Sequence, residues 1–158
     1  MAGRPTQHEL AAEVWREVFS LFWTRQPRML EIAQELGITP GHVKALLELR
    51  PDLPRSMGAL AELLRCDASN ATWLVDRLEE RGLVERRPLP GDRRVKTVVL
   101  TDLGVKTRAQ IIEGMYEPPD DLLTLDRESL ETMRAILARL PEREPPFGML
   151  AASEGGST

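Results

Sequence analysis

The hydrophobic period of this chain changes at Gly82, and that change limits the folds open to it. Up to that point "DASNATWLVDRLEE" (67–80) spaces its apolar residues for a helix. Beyond it, "LVERR" (83–87) and "VKTVVL" (95–100) are alternating or β-branched, and "PLPGD" (88–92) between them carries the Pro-Gly pair of a turn. Two such segments read as an antiparallel hairpin. Just upstream, Ser56 can cap "MGALAELLRC" (57–66), with Leu60, Leu63 and Leu64 facing inward, and Asp67 can cap the next helix. A connector of only a few residues between the two is the arrangement of a helix-turn-helix. The hairpin would then be its wing.

The flanks are helical. Leu10, Val14, Val18, Leu21 and Phe22 keep helical spacing, and Ala11, Trp15, Phe19 and Trp23 recur every fourth residue beside them. So wide an apolar face suggests burial against a partner subunit as well as the chain's own core. Pro27 either kinks this helix or restarts it, and a kink is the expectation. Gly37 reads as a helix stop and Thr39-Pro40 as a restart, for a helix running to about Arg50 and followed by the turn-rich "PDLPRS". Thr101 caps a helix that ends near Tyr116, because "EPPDD" cannot continue it. Asp126 caps a last helix carrying Leu130, Met133, Ile136, Leu137 and Leu140. At 158 residues the chain is one domain, about 1–142, and 143–158 reads as a disordered tail. No uninterrupted apolar stretch is long enough to span a bilayer, "MAGRPTQHEL" has no signal-peptide core, and a lone cysteine, Cys66, excludes an internal disulfide. A soluble protein of a reducing cytoplasm, with no membrane partner, fits best.

Advancing about 100° per residue from Ser69 puts Ala71, Leu74, Val75 and Leu78 on one side of the helix. Ser69, Asn70, Thr72, Trp73, Asp76 and Arg77 fall on the other. Short hydrogen-bonding groups with one guanidinium are the chemistry of a major-groove reader, and the free amides at a helix N-terminus favour phosphate. Between Arg77 and Lys96 seven basic residues stand against four acidic ones, a local net charge of +3 that leaves −7 for the rest of a chain whose total is −4. An acidic protein can thus present one cationic surface to a phosphate backbone. In the hairpin, Asp92 can hold Arg94 outward beside Arg93, suiting the narrow minor groove.

Residues 56–104, "SMGALAELLRCDASNATWLVDRLEERGLVERRPLPGDRRVKTVVLTDLG", resemble the MarR family of winged helix-turn-helix transcriptional regulators. The resemblance rests on the Leu-Ala-Glu-Leu-Leu helix, Leu-Val-Asp-Arg-Leu-Glu ending in Arg-Gly-Leu-Val, the Asp-x-Arg wing tip at Asp92–Arg94, and Leu-Thr opening the next helix. It implies a mainly α fold: a winged helix-turn-helix at about 39–101 with a small β-hairpin wing, between dimerisation helices at about 7–37 and 102–142. It further implies a homodimer reading a palindromic operator in double-stranded DNA, with recognition helices in major grooves about 34 Å apart and wings carrying Arg94 in flanking minor grooves. Repression relieved by a small aromatic ligand, between the dimerisation helices and the DNA-binding lobe, is the matching regulatory expectation; some members respond to cysteine oxidation instead. Trp73 departs from the pattern, since many members carry a small or basic residue there. It can pack on a thymine methyl or fold against its own helix.

The candidate DNA contacts are therefore Ser69, Asn70, Thr72, Trp73, Arg77, Asp92, Arg93 and Arg94, and the candidate ligand contacts Trp15, Phe19, Trp23 and His42. Each has a plainer alternative. Arg77 can pair with Glu80, and Asp92–Arg94 can be an ordinary turn ion pair. The aromatics can be core or dimer contacts, His42 a hydrogen-bonded structural residue, and Cys66 a small buried one. Two histidines, His8 and His42, with one cysteine build no metal site, and no cofactor is implied. No nucleophile with its base, paired carboxylate or phosphate loop appears at a recognisable spacing, so an enzyme is not expected. A winged helix used only for protein contacts is the rival reading.

Overall fold

The computed structural model of the chain describes residues 4–24, 26–89 and 92–141, with side chains described throughout that range except at 24–29 and 92–95. The elements run α1 (Gln7–Thr24), α2 (Gln26–Glu35), α3 (Pro40–Glu48), β1 (Arg55–Ser56), α4 (Met57–Leu64), α5 (Ala68–Glu80), β2 (Val84–Leu89), β3 (Asp92–Leu100), α6 (Asp102–Tyr116), α7 (Asp120–Leu123) and α8 (Arg127–Leu137). The fold is mainly α with a small antiparallel sheet, as the sequence implies. Arg25 and the side chain of Pro27 lie outside the described residues, so the expected kink falls there. The tail from 142 onward does too.

Most boundaries follow from single capping residues. Ser56 accepts from the Ala59 amide, Asp67 from Asn70, Thr101 from Gly104 and Asp126 from Ser129, each satisfying an amide that helix geometry leaves free. Replacing Asp67 with Ala should cost about 1 kcal/mol. A lower denaturant midpoint at unchanged m-value would check it; no change would mean the cap contributes nothing. Gly37, at φ +62°, ends the α2 turn, and Thr39 with Pro40 starts α3. α3 stops at Glu48, not Arg50, because Arg50 precedes Pro51 and is pushed out of the helical region; Leu49 is already extended at φ −80°, ψ 127°. Two elements had no sequence signal: the two-residue β1 and the four-residue α7.

The sheet has the order β1-β3-β2. Val84 stands opposite Leu100 and Arg86 opposite Val98, with a register shift between Pro88 and Leu89; Arg55 and Ser56 pair with Val98 and Thr97 on the far edge of β3. Thr101 ties the hairpin base to the helices. Its Oγ1 donates to the Gly82 carbonyl at 2.6 Å and accepts from the Gly104 amide at 3.0 Å, while its own amide donates to the Leu83 carbonyl at 3.1 Å.

The core joins α2, α3, α4, α5, the hairpin base and α6, through Ile32, Val43, Leu46, Leu47, Leu60, Leu64, Leu74, Val75, Leu78, Val84, Val98 and Ile111 among others. Within it, the buried Arg108 of α6 donates to the Leu47 carbonyl near the C-terminus of α3, where a cation is favoured. Among the described residues, none of this core comes from α1 or α8. Leu10, Val14, Val18 and Phe22 of α1 and Leu130, Met133, Ile136 and Leu137 of α8 are all exposed, as is Leu140, which lies beyond the end of α8 and not within it. Among the described residues no helix is long and apolar enough to cross a membrane.

Candidate nucleic-acid interface

The turn into α5 is three residues long. Arg65 adopts the left-handed conformation (φ 54°, ψ 47°), so its amide and that of Cys66 return to the last carbonyls of α4, and Asp67 then opens α5. Cys66 is half-buried against the core. The inward row of α5, Ala71, Leu74, Val75 and Leu78, is buried, fixing the helix's rotation about its own axis. Ser69, Asn70, Thr72, Trp73 and Asp76 consequently face outward and are exposed, with Arg77 half-buried at their edge. Thr72 donates its hydroxyl to the Ala68 carbonyl at 2.7 Å and keeps its oxygen free to accept.

Arginine commitments are more internal than the charge count implies. Arg86 bonds Asp76 at 2.5 Å and also Glu79, joining β2 to α5. Burial disfavours its charge, but the Asp76 hydrogen bond and the two carboxylates outweigh that and push its pKa up. Arg87 pairs with Glu85, and Arg77 with Glu80 at 2.9 Å, the plainer reading of Arg77. Arg81 donates to the carbonyls of Leu36 and Gly37 at 2.7 and 2.8 Å, fastening the end of α5 to the end of α2. Lys96 is exposed on β3. Asp92, Arg93 and Arg94 fall at the start of β3, but their side chains lie outside the described residues.

The candidate ligand contacts divide. Trp15, Phe19 and Trp23 form a ladder on α1, with ring centroids 6.2 and 5.8 Å apart, lining a shallow groove of about 450 Å³. His42 is elsewhere. It lies under Trp73, ring centroids 4.6 Å apart, in a groove shared with Thr39, Asp76, Arg77 and Glu80. Sequence reasoning missed this pairing: His42 sits at the third position of α3 and reaches back to the Thr39 amide, a role in which glutamate or glutamine is the usual signature. The Asp76–Arg86–Glu79 cluster was missed because its partners sit on different elements. Among the described residues no cluster of His, Cys, Asp and Glu could hold a metal ion.

The MarR family pattern matches residues 38–96, from the start of α3 into β3. Over 106 residues the chain is 30% identical to the HTH-type transcriptional repressor MdtR of Bacillus subtilis (strain 168), spanning 67% of this chain and 68% of that one. The chain belongs to the MarR family. It is also 34% identical over 86 residues to the HTH-type transcriptional regulator PecS of Dickeya dadantii, but spans only 52% of that protein. Among solved structures it is similar to the transcriptional regulator Tm0710 from Thermotoga maritima, with a TM-score of 0.67 and 26% identity, covering 80% of this chain and 88% of that one. MarR membership makes the chain a DNA-binding transcriptional regulator and not an enzyme. It also accounts for the wing beside a capped helix with a polar outer row.

Proposed function

We propose that the chain is a dimeric repressor that reads a palindromic operator, with α5 in the major groove and the hairpin in the flanking minor groove. The observation that carries this reading is the outward row Ser69, Asn70, Thr72 and Trp73 on a helix whose opposite row is wholly buried. Donors and acceptors so presented suit base edges. Lys96 is exposed on β3, and Asp92, Arg93 and Arg94, charged residues of the wing sequence, would supply charge for phosphate and minor groove. Two copies would join through the apolar rows of α1 and α8, which the single chain leaves uncovered. The repressor role is supported by the likeness to the transcriptional repressor MdtR; a cytoplasmic location follows from reading DNA. A small aromatic effector would stack on Trp15, Phe19 and Trp23, its enclosure completed by the second copy.

Titration against duplexes recovered by selection from random sequence, at several salt concentrations, tests the reading. Affinity should fall linearly on a log-log plot as salt rises. Arg94→Ala should weaken binding about tenfold or more, the loss typical of a removed groove arginine. Binding unaffected by Arg94→Ala would remove the role assigned to Arg94, and failure to bind any duplex would favour a protein-contact module.

A further inference from the structure

We propose that His42 is a positioning residue for DNA reading: its neutral ring is the floor that holds Trp73 in the outward row of α5, and a proton on that ring withdraws the floor, so that acid weakens operator binding. The inference rests on α5 being the DNA-reading helix.

Several features of the site point this way. His42 is 1% exposed, although α3 is otherwise an ordinary amphipathic helix. Its Nδ1 accepts the Thr39 backbone N–H at 3.2 Å and lies 2.7 Å from Thr39 Oγ1, so the ring's hydrogen is on Nε2. Nε2 itself is buried and has no hydrogen-bond partner among the described residues. The aromatic contact of the ring is the Trp73 indole, tilted by 52°. Trp73 remains 54% exposed, so it is held from beneath while its outer edge stays available.

With Nε2 already carrying a hydrogen, a second proton must go to Nδ1. That turns an acceptor into a donor opposite the Thr39 N–H: the backbone hydrogen bond that fixes the ring at the start of α3 is lost, and the new N–H is left to the Thr39 hydroxyl oxygen 2.7 Å away, which must turn its own hydrogen aside to accept it. The charged groups lining the groove are Asp76, Arg77 and Glu80 from α5, with Arg81 reaching past them to the carbonyls of Leu36 and Gly37. Both carboxylates are already matched, Asp76 by Arg86 and Glu80 by Arg77. The indole face attracts a cation, but it supplies no acceptor for a second N–H. Burial first, and then the charge of Arg77, accordingly lower the His42 pKa from its ordinary value of 6.5. The sign follows. Above pH 6.5 the neutral ring costs nothing; as the pH falls below 6.5 and through the lowered value, any arrangement that frees His42 takes up the proton first and gains over the packed one.

The test measures affinity of the full chain for a selected duplex from about pH 7.5 to about pH 5.5 at constant ionic strength, the range in which histidine titrates. Wild type, His42→Gln and His8→Gln are compared, His8 being the only other histidine. In DNA-free protein the indole N–H resonance of Trp73, assigned by its loss in Trp73→Phe, is followed over the same range. Wild type and His8→Gln should lose roughly fivefold or more in affinity, and His42→Gln, whose amide oxygen still accepts from Thr39 but takes no proton, less than about twofold. The Trp73 resonance should move with a midpoint below 6.5 in wild type. This reading needs no change at His42, so it decides the coupling even if His42→Gln does not fold. Acid weakening that persists in His42→Gln, neutral binding with no acid response, or a Trp73 resonance indifferent to pH overturns this inference alone. Failure to bind any duplex at about pH 7.5 overturns the DNA-reading role of α5, and this inference with it.

Discussion

Gly104→Ala should be among the most damaging single-methyl changes in this protein. A Cβ at Gly104 would lie 1.8 Å from the Leu83 carbonyl oxygen and 2.9 Å from its carbon. Both are backbone atoms, and neither can swing aside as a side chain would. Leu83 O also accepts from the Thr101 amide, so moving it breaks the junction where α5, the hairpin and α6 meet. Overpacking against backbone costs about 3 kcal/mol at the upper end of the usual range, which for a chain of this size corresponds to a fall in Tm of roughly 6–12 °C. Gly58→Ala is the control, since nothing lies within 4 Å of the methyl it would add to α4. There the change should be neutral or stabilising by about 0.5–1 kcal/mol. Calorimetric melting of the two variants decides the matter; equal melting temperatures would contradict the close approach.

Leu130→Glu with Leu137→Glu should leave the fold of each chain intact and abolish pairing. Both leucines are exposed in the single chain, on a helix with no buried residue, so folding loses little when they become charged. In a pair the same carboxylates would be buried without partners, which an interface does not tolerate. Linked half-site binding is worth about 10² to 10⁴ over one half-site, and operator affinity should fall by roughly 100-fold or more. Sedimentation gives the mass and a duplex titration the affinity. A variant that remains dimeric would move the interface away from α8.

What the sequence made legible was mostly local. Ser56, Asp67, Thr101 and Asp126 each satisfy an amide three residues on, so they are readable in a window of four. The inward row of α5 follows from its period alone. The hairpin follows from alternation around a turn. The apolar rows of α1 and α8 were legible as a surplus, because one small core cannot absorb both. Contacts between distant segments were hidden. Arg81 meets carbonyls 44 and 45 residues away, and Arg86 was counted toward a phosphate-facing charge although it is held by Asp76 and Glu79. Composition counts charges, whereas only the packed chain determines which are already neutralised. His42 and Trp73 are the same case: 31 residues separate them in sequence and nothing in either local pattern brings them together.

Ser56 belongs to two structures at once. It is the last residue of β1, opposite Thr97 of β3, and it is the residue whose hydroxyl opens α4. The root of the hairpin is therefore bolted to the front of the helix-turn-helix, and the register shift in the β2–β3 ladder comes only further out, between Pro88 and Leu89. A ruler results: the offset between the polar row of α5 and the root of the hairpin is fixed by the fold, so holding the two at one spacing costs no further ordering entropy on association.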